Sequence, residues 1–163
     1  MFLTVGVLAQ GNVLFQSKNA NPAVNFKILN PDGTVAAANL YTVGLWGGLT
    51  ADSLAPLKSG GVDITTPLTL ASGYFAGGSK GVDGIAAGVD AFFQVRVWET
   101  GKTYDTSMWF GAGNVVTLKL TAPPSTPQAL VGMTDVTLTQ IPEPSVLALS
   151  LLGMGAFLMR RRS

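Results

Sequence analysis

The 163-residue sequence contains no cysteine and no histidine. Without cysteine there are no disulfide staples, no thiolate nucleophile and no thiolate metal site. Without histidine the usual general base and the commonest transition-metal ligand are missing, and a Ser-His-Asp triad cannot be assembled. Charge is scarce too, at 12% of residues. Between Gln10 and Gln140, seven lysines and arginines stand against eight aspartates and glutamates, so the whole-chain balance of +1 owes its sign to three C-terminal arginines. No basic stripe with interleaved aromatics exists, which argues against nucleic acid as a partner. Ahead of the last 23 residues no stretch shows helical periodicity with caps.

What is present is period-two alternation. Asn12–Gln16 is a short apolar run, and Ala23–Leu29 sets Val24, Phe26 and Ile28 against Asn25 and Lys27. Asn30-Pro31-Asp32-Gly33 is a turn signal, because proline presets φ and glycine supplies a positive one. Thr34–Trp46 reads as one or two strands, and Leu57–Leu70 as a polar connection with one edge strand at Val62–Thr65. The clearest strand is Ala91–Glu99, where Phe93, Val95 and Val97 alternate with Phe92, Gln94, Arg96 and Trp98. Val115–Leu120 and Val136–Ile141 complete the set, joined by the stiff Pro-rich segment Ala122–Pro127. Gly73–Gly88, rich in Gly, Ala and Ser, reads as a short strand running into a mobile surface loop. The expectation is an all-β chain: a single β-sandwich of immunoglobulin-like or jelly-roll type over residues 10–140, long enough for a real core.

The C-terminus has a different grammar. Ile141-Pro142-Glu143-Pro144-Ser145 precedes Val146–Met159, which carries no charge, and Arg160-Arg161-Arg162-Ser163 follows. As a helix the 14 uncharged residues rise about 21 Å, against a hydrocarbon core of roughly 30 Å. With Ser145 and snorkelling arginine stems the segment spans a thinned bilayer. The arginines bias that end to the cytoplasm and leave the bulk of the protein outside. At the other end, Met1–Ala9 reads as the remnant of a signal peptide: Val7-Leu8-Ala9 approximates a small-x-small cleavage site, while a basic n-region is missing. The expectation is that the true start lies upstream of Met1.

The order Pro-Glu-Pro, apolar run, arginine cluster resembles the PEP-CTERM sorting signal of bacterial exported proteins, whose processing is attributed to exosortases. The resemblance implies export, temporary residence in the inner membrane through residues 146–159, cleavage near Pro142, Glu143 and Pro144, and arrival at the cell surface or outside the cell. Arg160, Arg161 and Arg162 would stop transfer, and an exosortase-type enzyme is the implied partner. The remaining features (Ala9-Gln10-Gly11, the Pro31-Asp32-Gly33 turn, Gly73-Tyr74-Phe75, Gln94–Glu99 and the Pro-rich segment) resemble small PEP-CTERM proteins of Verrucomicrobia and related bacteria. That group supplies location and fold, and no catalytic residues.

Chemistry inside the domain is sparse, and the chain does not read as an enzyme. The carboxylates Asp83, Asp90, Glu99 and Asp105 have no spacing that fixes two of them across a cleft. Ser79-Lys80 sits in a Gly-rich setting unsuited to a preorganised nucleophile. Asp83, Asp90 and Asn114 offer oxygen ligands for Ca²⁺ but lack an alternating-carboxylate loop, so no metal or cofactor is assigned. The aromatics are the best binding feature. Tyr104, Trp109 and Phe110, in the loop-like segment Thr100–Gly113, are candidate contacts for a glycan such as exopolysaccharide, whereas Trp46 and Trp98 read as core or edge-packing residues. The sequence thus favours a cell-surface or extracellular-matrix protein, with a carbohydrate-binding module as the alternative.

Overall fold

Alternating burial organises the chain. The structure, a computed structural model, describes residues 9–20, 23–70 and 72–141. Among these, every regular element is a β-strand except one turn of 3-10 helix at Tyr104–Thr106. The fold is all-β, as the sequence pattern predicts. Residues 1–8 and 142–163 lie outside the description, and with them most of the signal-peptide remnant, Pro142–Pro144, the apolar run and Arg160–Arg162.

Six strands carry the architecture: β1 (Gln10–Gln16), β2 (Tyr41–Gly48), β3 (Ala76–Ala86), β4 (Asp90–Glu99), β5 (Trp109–Ala112) and β6 (Val116–Lys119). In the larger sheet β2 lies antiparallel along Phe92–Glu99 of β4, with Gln94 opposite Trp46, Arg96 opposite Gly44 and Trp98 opposite Thr42. The far edge of β4 is shared by β6 at its start and β5 at its end. The far edge of β2 is shared by Ala55–Pro56 and Thr65–Pro67. The smaller sheet places β1 between β3 and Gln128–Ala129.

The two sheets contribute to one core. Val13 and Phe15 of β1 join Val43 and Leu45 of β2 and Phe93, Val95 and Val97 of β4 in a single buried cluster. Phe75 belongs to the same cluster, with its ring centroid 4.9 Å from Phe15 and 5.8 Å from Phe26. Each such side chain contributes roughly 1.5–3 kcal/mol by leaving water. The expected faces are found: Val24, Phe26 and Ile28 are buried, as are Val116, Leu118 and Leu120. The segment Ala23–Leu29 is broken, however, into Val24–Asn25 and Ile28–Leu29, each paired with a different partner. Asp32 closes the expected turn by accepting the Thr34 N–H at 3.0 Å, with Gly33 at φ 79°.

Three sequence expectations are corrected. Gly73–Gly88 holds no long loop: Ala76–Ala86 is an eleven-residue strand along β1. One of its glycines serves packing. A Cβ at Gly77 would lie 2.5 Å from the Phe15 ring, so the missing side chain is what admits the phenyl group, and the register slips beside that residue. The Leu57–Leu70 connection contains a small hairpin, Lys58–Ser59 against Val62–Asp63, and the edge strand Thr65–Pro67. Thr100–Gly113 is a loop only in its first part, because Trp109–Ala112 is a strand.

Candidate functional site

On the outer face of the larger sheet, pleating brings Trp46 from β2 beside Gln94, Arg96 and Trp98 from β4. Gly44 lies beneath them, and a Cβ there would stand 2.6 Å from both the Trp46 and the Trp98 ring. The glycine therefore lets two indoles close over one strand. Their centroids are 5.5 Å apart at 86°, the edge-to-face geometry that aromatic quadrupoles favour. Trp98 is buried and donates its Nε1–H to the Lys102 carbonyl at 3.0 Å.

Glu99 folds the following loop back onto this face. Its carboxylate accepts the N–H of Met108 at 2.8 Å and of Trp109 at 3.3 Å, with the Ser107 hydroxyl 3.0 Å away. The Met108 bond foremost holds the Glu99 carboxyl below its usual range, helped by Trp109 and Ser107 against partial desolvation. The loop in turn carries the 3-10 turn that seats Tyr104 against both indoles, 5.6 Å from Trp46 and 6.4 Å from Trp98. The Arg96 guanidinium lies over one face of Trp46 at 5.1 Å and of Tyr104 at 4.9 Å. Burial pushes the Tyr104 hydroxyl up, with Arg96 pulling against it and Asp105 adding to it.

A cleft of about 310 Å³ opens beside this aromatic group. Trp46, Trp98 and Tyr104 form part of its apolar lining, with Asp63, Lys102 and Asp105 among its polar groups. Its opposite wall is the stretch 56–65, whose hairpin is fixed by Asp83: the carboxylate accepts the N–H of Gly61 at 2.7 Å and of Gly60 at 3.1 Å, and bonds Gln10 as well. Those bonds, Gly61 first, hold Asp83 below the usual carboxylate range.

The three aromatic candidates separate. Tyr104 lines the cleft. Phe110 abuts Tyr104 at 5.7 Å, edge to face. Trp109, one residue earlier on the same strand, points to the other side and packs on the core. Trp46, expected as a packing residue, lines the cleft and was missed. The signal for it was available: Trp46 sits an odd number of residues from the buried Val43 and Leu45, hence on the outer face.

The carboxylates also separate. Asp83 and Glu99 are taken up in holding loops, and Asp90 lies 3.8 Å from Lys119 in an exposed pair. Asn114 is spent on the Gly132 carbonyl and the Thr134 N–H. Ser79 and Lys80 lie in β3, opposite Leu14 and Val13. Among the described residues no group of three or more His, Cys, Asp or Glu side chains is placed to hold a metal ion, and no helix is long and apolar enough to cross a membrane. Comparison with models of protein families, with curated proteins and with solved structures finds no match in any of the three.

Proposed function

We propose that the chain is an exported cell-surface or extracellular-matrix protein: a single β-sandwich delivered through a C-terminal membrane helix and processed by an exosortase-type enzyme at Pro142-Glu143-Pro144. The observation that supports this is where the fold closes. The last strand, Thr139–Gln140, pairs with Trp109–Phe110, and Ile141 donates its N–H to the Met108 carbonyl at 2.9 Å. The proposed sorting motif would begin at the next residue, directly after this pairing. The opening is similar: among the described residues the first strand starts at Gln10, directly after the expected small-x-small site at Val7–Ala9. The test is intact-protein mass spectrometry of the native product from cells and from culture medium. A mass that ends near Pro142–Pro144 and begins near Gln10 is the expected result. A full-length species confined to the membrane fraction overturns the processing reading and leaves a tail-anchored protein.

A second reading, a carbohydrate-binding module that holds exopolysaccharide, is favoured by the cleft. Half-buried aromatic rings beside hydrogen-bonding side chains suit sugars, which have one apolar face and a polar rim. On this reading Trp46 and Tyr104 replace Trp109 as the contacts to test.

A further inference from the structure

We propose that the cleft between Tyr104 and the 56–65 stretch binds one ring of a neutral pyranose, stacked on Trp46 and Tyr104 and hydrogen-bonded by Asp105 and Lys102. This rests on the second reading, that the protein meets a polysaccharide outside the cell, and adds the site, the ligand class and the contacts.

The first argument is which polar groups are spoken for. Asp32, Asp83, Glu99 and Asp135 accept hydrogen bonds from their own chain, and Asp63 and Asp90 face lysines. Asp105 takes part in no hydrogen bond or ion pair with the described residues, and neither do the Lys102 ammonium and the Tyr104 hydroxyl. All three belong to cleft-lining residues. A carboxylate, an ammonium and a phenol that make no hydrogen bond or ion pair with the described residues, gathered around one opening, form a set of acceptors and donors suited to vicinal hydroxyls.

The second argument is the wall. Arg96 covers one face of Trp46 and one of Tyr104, yet it does not line the cleft. The ring surface that does line it is therefore separate from the cation. Trp98 meets both Trp46 and Tyr104 edge to face and is tied to Lys102, while Trp46 and Tyr104 lie tilted 5.6 Å apart, so little freedom is lost when a ligand docks.

Size and charge narrow the class. At about 310 Å³ the cleft sits at the small end of ligand pockets, room for one sugar unit with its neighbours left in solvent. Lys102 balances Asp105, and Asp63 is offset by Lys58 at 4.0 Å across an exposed pair. The opening is close to neutral, so an acidic sugar gains nothing there over a neutral one.

The experiment titrates the purified full-length chain by calorimetry with cellohexaose, laminarihexaose and maltohexaose, and with hexagalacturonate as the acidic probe. The expected result is saturable binding of at least one neutral probe. Asp105→Ala is expected to weaken it about tenfold, the loss of one hydrogen bond to a charged group. Tyr104→Ala is expected to abolish it, while Asp52→Ala changes nothing. Asp105 is exposed, so its variant keeps the test open if Tyr104→Ala does not fold. Neutral binding that survives both cleft variants overturns the site and leaves the polysaccharide reading standing. Binding of hexagalacturonate alone overturns the ligand class. No binding to any probe overturns both.

Discussion

Replacing Gly44 by alanine puts one methyl group where two indole rings meet. The added Cβ would lie 2.6 Å from a Trp46 carbon and 2.6 Å and 2.8 Å from two Trp98 carbons, whereas carbon atoms rest at about 3.5–4.0 Å. Both rings must retreat by roughly 1 Å. Trp98 resists because it is buried and its N–H is tied to Lys102, and Trp46 resists because it leans on Trp98 and Tyr104. Overpacking of this kind costs about 1–3 kcal/mol. The opposing effect is the narrower unfolded ensemble of alanine, worth about 0.4–1 kcal/mol, which operates here because Gly44 is not among the positive-φ glycines. Steric cost wins, leaving a net destabilisation of about 1–2 kcal/mol. For a chain of this size that lowers Tm by roughly 2–8 °C. Differential scanning calorimetry measures the shift, and tryptophan emission is expected to move red as the indoles loosen. Gly81→Ala is the control, because a Cβ there meets side-chain ends alone, those of Gln10 from 3.1 Å and of Asn12 at 3.5 Å. A Gly44→Ala protein with unchanged Tm and unchanged emission would refute the idea that the two rings close over residue 44.

Gly77→Ala is expected to cost about 1–3 kcal/mol, because the new Cβ meets the Phe15 ring at 2.5 Å and the Phe15 carbonyl at 3.0 Å; urea unfolding at an unchanged midpoint counts against the β1–β3 register. Asp83→Ala should raise hydrogen exchange at Gly60 and Gly61 first, since their N–H groups lose their acceptor; unchanged protection there sinks the hairpin-anchor role. Glu99 and Asp83 have lowered folded pKa values, so their contribution is complete above the unfolded-state value near pH 4 and is lost as pH falls through the folded values. Tm is therefore expected to hold level from pH 7 to about 5 and then drop, with a shallower drop in Glu99→Gln; a variant that tracks the parent throughout removes Glu99 from the account. Glu143→Ala should leave an uncut precursor, and Arg160–Arg162→Ser should impair retention or processing. Normal maturation of both, seen by mass spectrometry, dismisses the sorting-signal reading.

Strands whose two faces differ were readable directly. In β4, Phe93, Val95 and Val97 alternate strictly with Gln94, Arg96 and Trp98, and only one pleat direction buries the first set. Ala76–Ala86 was unreadable for the opposite reason. Its glycines carry no side-chain signal, and it is a strand because β1 lies beside it and Phe15 fills the space a side chain would take. The aromatic site was half readable. Tyr104 announced itself in a polar turn. Trp46 did so only through its odd spacing from Val43 and Leu45, which puts it on the outer face; its place beside Trp98 needs the register with β4. The segment around Trp109 reads as a loop in the sequence because the partners that make it a strand, Glu99 and Thr139–Gln140, are far apart in sequence.

The sequence by itself determined what depends on local pattern and on absent residue types: an all-β chain, the buried face of each alternating strand, no disulfide, no histidine chemistry, and a C-terminal tail unlike the rest. The tertiary structure alone decided which strands are neighbours, and with that which aromatics share a surface. It also decided which carboxylates are consumed by backbone N–H groups and which, like Asp105, are left facing a cleft. The reason is range. Alternation and turn chemistry act between residues a few positions apart, whereas the Trp46–Trp98–Tyr104 group needs the β2–β4 register to join the indoles and the Glu99-held loop to lay Tyr104 on them.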